Sequence, residues 1–123
     1  MRTKIVAGNW KMNNTIEETS TLIKELQTSL NNVTLENTRV LVAPTFVNLS
    51  SGVQNVKGSK IEVVAQNMHQ AKKGAFTGEI SADMLKSIGV VSVILGHSER
   101  RTYFGETDAL LAEKVSTTLE NNM

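Results

Sequence analysis

Short apolar runs alternate along the chain with longer segments in which apolar residues recur every three or four positions. The runs predict β-strands at Lys4–Gly8, Arg39–Ala43, Lys60–Ala65 and Val90–Leu95. The spaced segments predict helices from Thr15 to about Leu30, Val47 to Asn55, Ala82 to Ser87 and Asp108 to about Asn121. Strict alternation of strands and helices is typical of an α/β fold with a parallel sheet. The pattern leaves open whether that sheet is open or closed.

Capping residues support these boundaries. Thr15 and Glu18 have the spacing of a capping box, and Ser81 and Thr107 are typical N-caps. Pro44 ends the second predicted strand, because proline cannot donate to a sheet. In the last helix the apolar face is predicted to consist of Leu111, Val115 and Leu119.

Composition narrows the possible functions. With 123 residues, 40% of them hydrophobic, the chain has the size of a single domain spanning residues 1–123. A net charge of +1, carried by dispersed lysines and arginines, indicates neither a nucleic-acid partner nor a membrane partner. The absence of cysteine excludes disulfides and thiolate metal sites. Without an export signal or a long apolar run, the sequence predicts a cytoplasmic protein.

Polar side chains follow the predicted strands, where ligands bind in α/β folds. The candidates are Asn9, Lys11, Gln66, Asn67, His97 and Glu99. His97 precedes a possible helical turn, whose free N–H groups favour a neutral imidazole. Taken alone, His97 is more simply interpreted as a residue that makes a local hydrogen bond. The two histidines lack metal-ligand spacing and no nucleotide-binding glycine motif is present, so neither a metal nor a cofactor is expected.

Five motifs stand in order at the predicted strand ends: Ala7-Gly-Asn-Trp-Lys-Met-Asn13, Val42-Ala-Pro-Thr-Phe46, Ala65-Gln-Asn67, Gly74-Ala-Phe-Thr-Gly-Glu-Ile-Ser81 and Leu95-Gly-His-Ser-Glu-Arg-Arg101. Together they resemble the triosephosphate isomerase family along the whole chain. The resemblance implies a (β/α)8 TIM-barrel fold, of which this chain supplies the first four βα units with a parallel sheet. Residues 1–123 would then be the N-terminal half of a barrel.

The resemblance also implies a reaction and its residues. The reaction is the interconversion of glyceraldehyde 3-phosphate and dihydroxyacetone phosphate in glycolysis and gluconeogenesis, with no cofactor or metal. By resemblance, Asn9 and Lys11 bind the triose phosphate, and Lys11 also brings positive charge to the enediolate. His97 matches the family's electrophile, and this family is the standard example of a neutral histidine in that role. Glu99 matches the carboxylate that holds the site together, and we expect it to form an ion pair with Lys11.

The glycine-flanked loop from Gly74 to Glu79 carries Phe76, Thr77 and Glu79. It resembles the family's segment that enters a pocket of a second subunit, where the residue matching Thr77 supports that subunit's site. The resemblance therefore implies a homodimer, or another homo-oligomer, whose small-molecule ligand is a triose phosphate.

A complete barrel of this type takes about 250 residues. By resemblance, the second half carries the family's glutamate base, its mobile lid and its later phosphate-binding turns. No acid here stands in a motif that could replace the base, since Glu106 and Glu113 belong to the final loop and helix. We therefore expect these 123 residues alone to be inactive, with open edges at the first and fourth strands and either the missing half or another copy as partner.

Two other functions remain open. One is a non-catalytic half-barrel module that self-associates and at most weakly binds phosphate. The other is a different phosphate-binding barrel enzyme, which explains the polar residues at the strand ends but not five motifs in one order.

Overall fold

The computed structural model describes all 123 residues. They form β1 (Lys4–Asn9), α1 (Ile16–Leu30), β2 (Thr38–Ala43), α2 (Phe46–Asn55), β3 (Ile61–Val63), α3 (Ala82–Ser87), α4 (Ser98–Phe104) and α5 (Asp108–Glu120). The chain consists of two compact units, one spanning residues 1–64 and the other spanning residues 65–123. The predicted α/β class is confirmed. None of the helices has the length and apolar character that crossing a membrane would need.

The first unit contains a parallel sheet in the order β1-β2-β3. Its register pairs Ala7 with Leu41, and Leu41 with Glu62. Helices α1 and α2 meet β3 at Gly52, where an added Cβ would lie 3.6 Å from Val63 and 3.9 Å from Ile23. Ile23 on α1 and Leu49 on α2 are both buried, so the hydrophobic core of this unit lies between the helices and the sheet.

Helix α1 begins as the sequence predicts. The Glu18 N–H donates to the Thr15 hydroxyl at 3.3 Å, and the Thr15 N–H donates to the Glu18 carboxylate at 2.8 Å, which confirms the capping box. At the other end of the helix, Lys60 Nζ donates to the carbonyls of Leu30 (3.1 Å) and Val33 (2.6 Å). This ammonium therefore binds one carbonyl of the last helical turn and one carbonyl of the segment that follows the helix.

Strand β1 is the edge of the three-stranded sheet, and its Ile5 and Val6 are exposed. The expected open edge at the first strand is therefore present. On β2 and β3, Arg39 binds Glu62 through two hydrogen bonds of 2.9 and 2.6 Å. The hydrogen bonds from Arg39 lower the pKa of the Glu62 carboxyl.

The predicted fourth strand is present in the second unit only as a single parallel bridge between Ala65 and Val93. The Ala65 N–H donates to the Ser92 carbonyl at 3.0 Å, and the Ile94 N–H donates to the Ala65 carbonyl at 2.8 Å. The prediction of a continuous strand covered on both faces was wrong, because these hydrogen bonds reach one residue and Val91 is 54% exposed. Strand β3 is likewise shorter than predicted and ends at Val63.

The helices of the second unit follow their predicted caps, with Ser81 beginning α3 and Thr107 beginning α5. The turn predicted at Ser98 is a complete helix, α4, so the chain has five helices rather than four. The prediction that Leu111, Val115 and Leu119 form the apolar face of α5 was correct only for Leu111. Leu111 and Lys114 are buried, whereas Val115 and Leu119 are exposed.

Candidate active site

Asn9 and Lys11 lie at the carboxyl end of β1. Asn9 is the last residue of the strand and pairs with Ala43 of β2. The Lys11 N–H donates to Asn9 Oδ1 at 3.0 Å, and the Trp10 N–H donates to the Ala43 carbonyl at 3.1 Å. Lys11 has a φ of 54°, which is uncommon for a residue with a Cβ atom. The hydrogen bonds thus hold Lys11 in a backbone conformation that it would seldom adopt by itself.

His97 is the N-cap residue of α4. Its Nδ1 accepts a hydrogen bond of 3.1 Å from the Glu99 N–H, so Nδ1 carries no proton in this arrangement. The proton of the neutral ring is then on Nε2, which is a hydrogen-bond donor. The Glu99 carboxylate lies 3.7 Å from Nδ1. The local hydrogen bond predicted for His97 therefore determines which nitrogen of the ring is the donor.

Gly96 allows the turn before His97 to approach α5 closely. It has a φ of 65°, and a Cβ atom there would lie 2.9 Å from Leu111 Cδ1. Both the backbone conformation and the close contact require glycine at this position.

We expect Gly96→Ala to destabilise the protein more than Gly105→Ala does. Gly105 has the same φ of 65° but nothing within 4 Å of an added Cβ, so it provides a matched control. Each alanine adds roughly 1–2 kcal/mol of left-handed strain, and only Gly96→Ala also displaces Leu111. Urea denaturation measures the two losses in unfolding free energy. Equal losses would show that contact with Leu111 does not constrain the turn.

A buried polar cluster, here called the Glu106 cluster, connects α4 to α5. It consists of Asn67, Arg100, Glu106 and Lys114. Lys114 Nζ donates to Glu106 Oε2 at 2.5 Å and to Asn67 Oδ1 at 2.9 Å. Arg100 Nε lies 3.2 Å from Glu106 Oε1, an ion pair without hydrogen-bond alignment. The side chains of Glu106 and Lys114 are only 2% and 3% exposed, so each charge depends on its partner.

The charges of the Glu106 cluster determine the protonation of its carboxyl group. Burial raises the pKa of Glu106, but Lys114 and Arg100 outweigh burial and hold this pKa below its usual value. Glu106 is therefore ionised at neutral pH. Because Arg100 belongs to α4, the cluster also holds the helix that begins after His97.

The Glu106 cluster is not predicted by the sequence. Glu106 was interpreted as an ordinary acid of the last loop, and Lys114 was not singled out. One signal was available, because Lys114 stands three positions after Leu111 and so lies on the same side of α5. Asn67 was named as a site candidate, and the structure places it in this cluster as the acceptor for Lys114.

The loop from Gly74 to Glu79 is exposed, as predicted. Its base is closed by a hydrogen bond of 2.8 Å from the His69 N–H to the Ile80 carbonyl. The rings of His69 and Phe76 lie 4.3 Å apart, yet Phe76 remains 47% exposed. Thr77 and Glu79 are exposed as well. The role of this loop in docking stays a prediction.

Asn9 and Lys11 belong to the first compact unit, and His97 and Glu99 belong to the second. A site shared by all four residues, and an ion pair between Lys11 and Glu99, stay predictions. No group of three or more histidine, cysteine, aspartate or glutamate residues is arranged to hold a metal ion.

Parallel strands that alternate with helices, with polar residues after the strands, place the chain in the class of α/β proteins with a parallel sheet. The family model for triosephosphate isomerase matches residues 4–123. The chain belongs to the triosephosphate isomerase family, which confirms both the resemblance and the predicted fold class.

Several relatives are similar over the whole chain. The triosephosphate isomerase of Flavobacterium psychrophilum is 60% identical over 123 residues, which are 100% of this chain and 48% of that protein. Those of Flavobacterium johnsoniae and Clostridium acetobutylicum are 58% and 54% identical with the same coverage. The chain therefore spans about half the length of the curated relatives that it matches.

Proposed function

We propose that this chain contributes Asn9, Lys11, His97 and Glu99 to an isomerase that interconverts glyceraldehyde 3-phosphate and dihydroxyacetone phosphate without cofactor or metal. The observation that carries the proposal is the hydrogen bond from the Glu99 N–H to His97 Nδ1. It makes the neutral ring a donor through Nε2. Family membership supports the choice of substrate.

Proton transfer next to a carbonyl group needs a base and hydrogen-bond donors for the enediolate oxygens. Lys11 supplies a charged donor and His97 a neutral one. A neutral imidazole stabilises developing negative charge without giving up its proton readily. The base would come from the part of the barrel that the relatives have beyond the matched region.

The test uses a fusion protein, called the fusion below. In it, Met123 of this chain is joined to the part of the Flavobacterium psychrophilum relative that lies beyond the matched region. We expect the fusion to interconvert the two triose phosphates. Lys11→Met should lower kcat/KM by about 100- to 1,000-fold, the usual effect of losing an electrostatic donor. Lys24→Met, which removes an exposed lysine from α1, should leave activity unchanged. An inactive fusion that is folded, or an equal loss in both variants, contradicts the proposal.

We also propose a homodimer in the cytoplasm, acting in glycolysis and gluconeogenesis. The exposed Phe76 and Thr77 support dimer formation, since both stand on the loop that resembles the family's docking segment. The proposed ligand is a small triose phosphate, and neither nucleic acid nor membrane is a proposed partner.

Thr77→Arg is expected to dissociate the dimer of the fusion, because it places a long charged side chain where close packing is proposed. The control is Lys57→Arg, which changes a residue on the turn after α2 and should leave the sedimentation mass of the fusion unchanged. Sedimentation at several concentrations measures the mass of each. An unchanged dimer in Thr77→Arg would contradict docking through this loop.

A second candidate function is the non-catalytic half-barrel module that self-associates. The exposed Ile5 and Val6 on the edge strand β1 favour it, because an open apolar edge is a site for association. Charged substitutions at these two residues should then lower the mass of the assembly that the 123-residue chain forms in solution, while Thr77→Arg should leave that mass unchanged.

A further inference from the structure

Asn48 is a fully buried polar residue that neither the motifs nor the proposed reaction explain. It lies in the first turn of α2 and is 0% exposed. Its Nδ2 donates to the Asn14 carbonyl at 2.8 Å and to the Thr45 hydroxyl at 3.1 Å. Its Oδ1 is also buried and has no hydrogen-bond partner. A buried amide with one unsatisfied oxygen is costly, so its presence at this position needs a reason other than stability.

Helix α2 lacks the usual N-cap hydrogen bond, because its N-cap side chain binds Asn48 instead. Thr45 is the N-cap residue, and its hydroxyl would normally accept from a backbone N–H of the first turn. In this chain it makes no such cap and instead accepts from the Asn48 side chain. The hydroxyl therefore orients the Asn48 amide toward Asn14.

The bond to Asn14 reaches the loop that carries Lys11. Lys11 and Asn14 have φ values of 54° and 73°, so two residues of this loop are in the left-handed region. Such conformations persist where surrounding contacts hold them. Trp10 is tied to the Ala43 carbonyl at the start of the loop, and Asn14 is tied to Asn48 at its end. Both partners lie within residues 43–48, which run from the last residue of β2 into the first turn of α2.

Within the loop, a second amide continues the restraint. Asn13 Nδ2 donates to the Trp10 carbonyl at 2.7 Å, and the Lys11 N–H donates to Asn9 Oδ1 at 3.0 Å. Fixing Trp10 and Asn14 therefore leaves the backbone of Lys11 little freedom. Asn14 itself is only half-buried, so its bond to Asn48 lies at the margin of the core.

We propose that Asn48 is a positioning residue that fixes the backbone of the loop bearing Lys11. The effect of this positioning on catalysis rests on the proposed isomerase function. Asn48→Leu keeps the branched side-chain skeleton and removes both donors. Thr19→Val is the matched control. Thr19 is equally buried, with a hydroxyl that has no hydrogen-bond partner, and no side-chain bond joins it to the loop.

In the fusion, Asn48→Leu should lower kcat/KM by about ten-fold, mainly through KM, because misplacing a binding group by a fraction of an ångström already weakens its action. Thr19→Val should change neither constant. The melting temperatures of the two variants should stay close to that of the parent. A role in stability alone would instead lower the melting temperature of Asn48→Leu and leave KM unchanged, and that result would overturn the proposal.

Amide hydrogen exchange tests the same inference without catalysis, on the 123-residue chain and on the fusion. The amides of Trp10 and Lys11 should exchange at least several-fold faster in Asn48→Leu and at the parent rate in Thr19→Val. Unchanged exchange in Asn48→Leu would refute the positioning role. Asn48→Ser, which introduces no larger group, serves if the leucine variant does not fold. A parent fusion that is inactive would refute the proposed function, while the exchange rates would still decide the role of Asn48.

Discussion

A polypeptide of these 123 residues is expected to show no measurable isomerisation of triose phosphates, whereas the fusion is expected to be active. Lys11 and His97 are the proposed donors for the enediolate, but no acid of this chain stands in a motif for the base. Loss of a general base costs about 100- to 10,000-fold in rate. Loss of a lid that closes over the substrate adds to this deficit. The rate is measured for both proteins at equal molar concentration.

The control for this experiment is addition of the separately produced remainder of the relative to the 123-residue polypeptide. Recovered activity would show that the polypeptide retains its donors in a usable arrangement. Near-native turnover by the polypeptide alone, with longer contaminants excluded by mass spectrometry, would mean that an acid within these residues serves as the base.

Lys114→Met is expected to destabilise the second unit by about 3–5 kcal/mol, because it leaves the buried carboxylate of Glu106 without its closest cation. The methionine fills a similar volume, so little of the loss comes from a cavity. Lys73→Met, at an exposed position of the same unit, should stay within about 0.5 kcal/mol of the parent. Chemical denaturation followed by circular dichroism measures both.

The double variant Lys114→Met/Glu106→Gln separates charge from packing. Glutamine removes the buried charge, so the double variant should lose less than the sum of the two single variants. Additive losses would show that the ion pair between Glu106 and Lys114 does not determine the stability of the cluster.

The stability of the Glu106 cluster should also depend on pH. The pKa of Glu106 is lowered in the folded protein, against an unfolded value of about 4.3. Its contribution is therefore complete above the unfolded pKa and is lost as the pH falls through the folded pKa. Without Lys114, Glu106 takes up a proton more readily, so the deficit of Lys114→Met should shrink as the pH falls from 7 toward 4.

The sequence alone determined the order of most elements, the caps and the family. The capping box at Thr15 and the caps at Ser81 and Thr107 were predictable because each depends on groups three residues apart. The class of the fold followed from the alternation of two periodicities, and the five motifs identified the family. His97 was found because it follows an apolar run and precedes a helix.

Only the tertiary structure decided where charge and amide groups are buried. Lys114 binds a residue 8 positions away and another 47 positions away, and Asn48 reaches a carbonyl 34 positions away. Local periodicity contains no information about partners at such separations. The same reason explains why α5 buries Lys114 rather than Val115, and why the run at Val93 forms one bridge instead of a strand. Each outcome depends on which distant group is available to satisfy a buried charge or a backbone hydrogen bond.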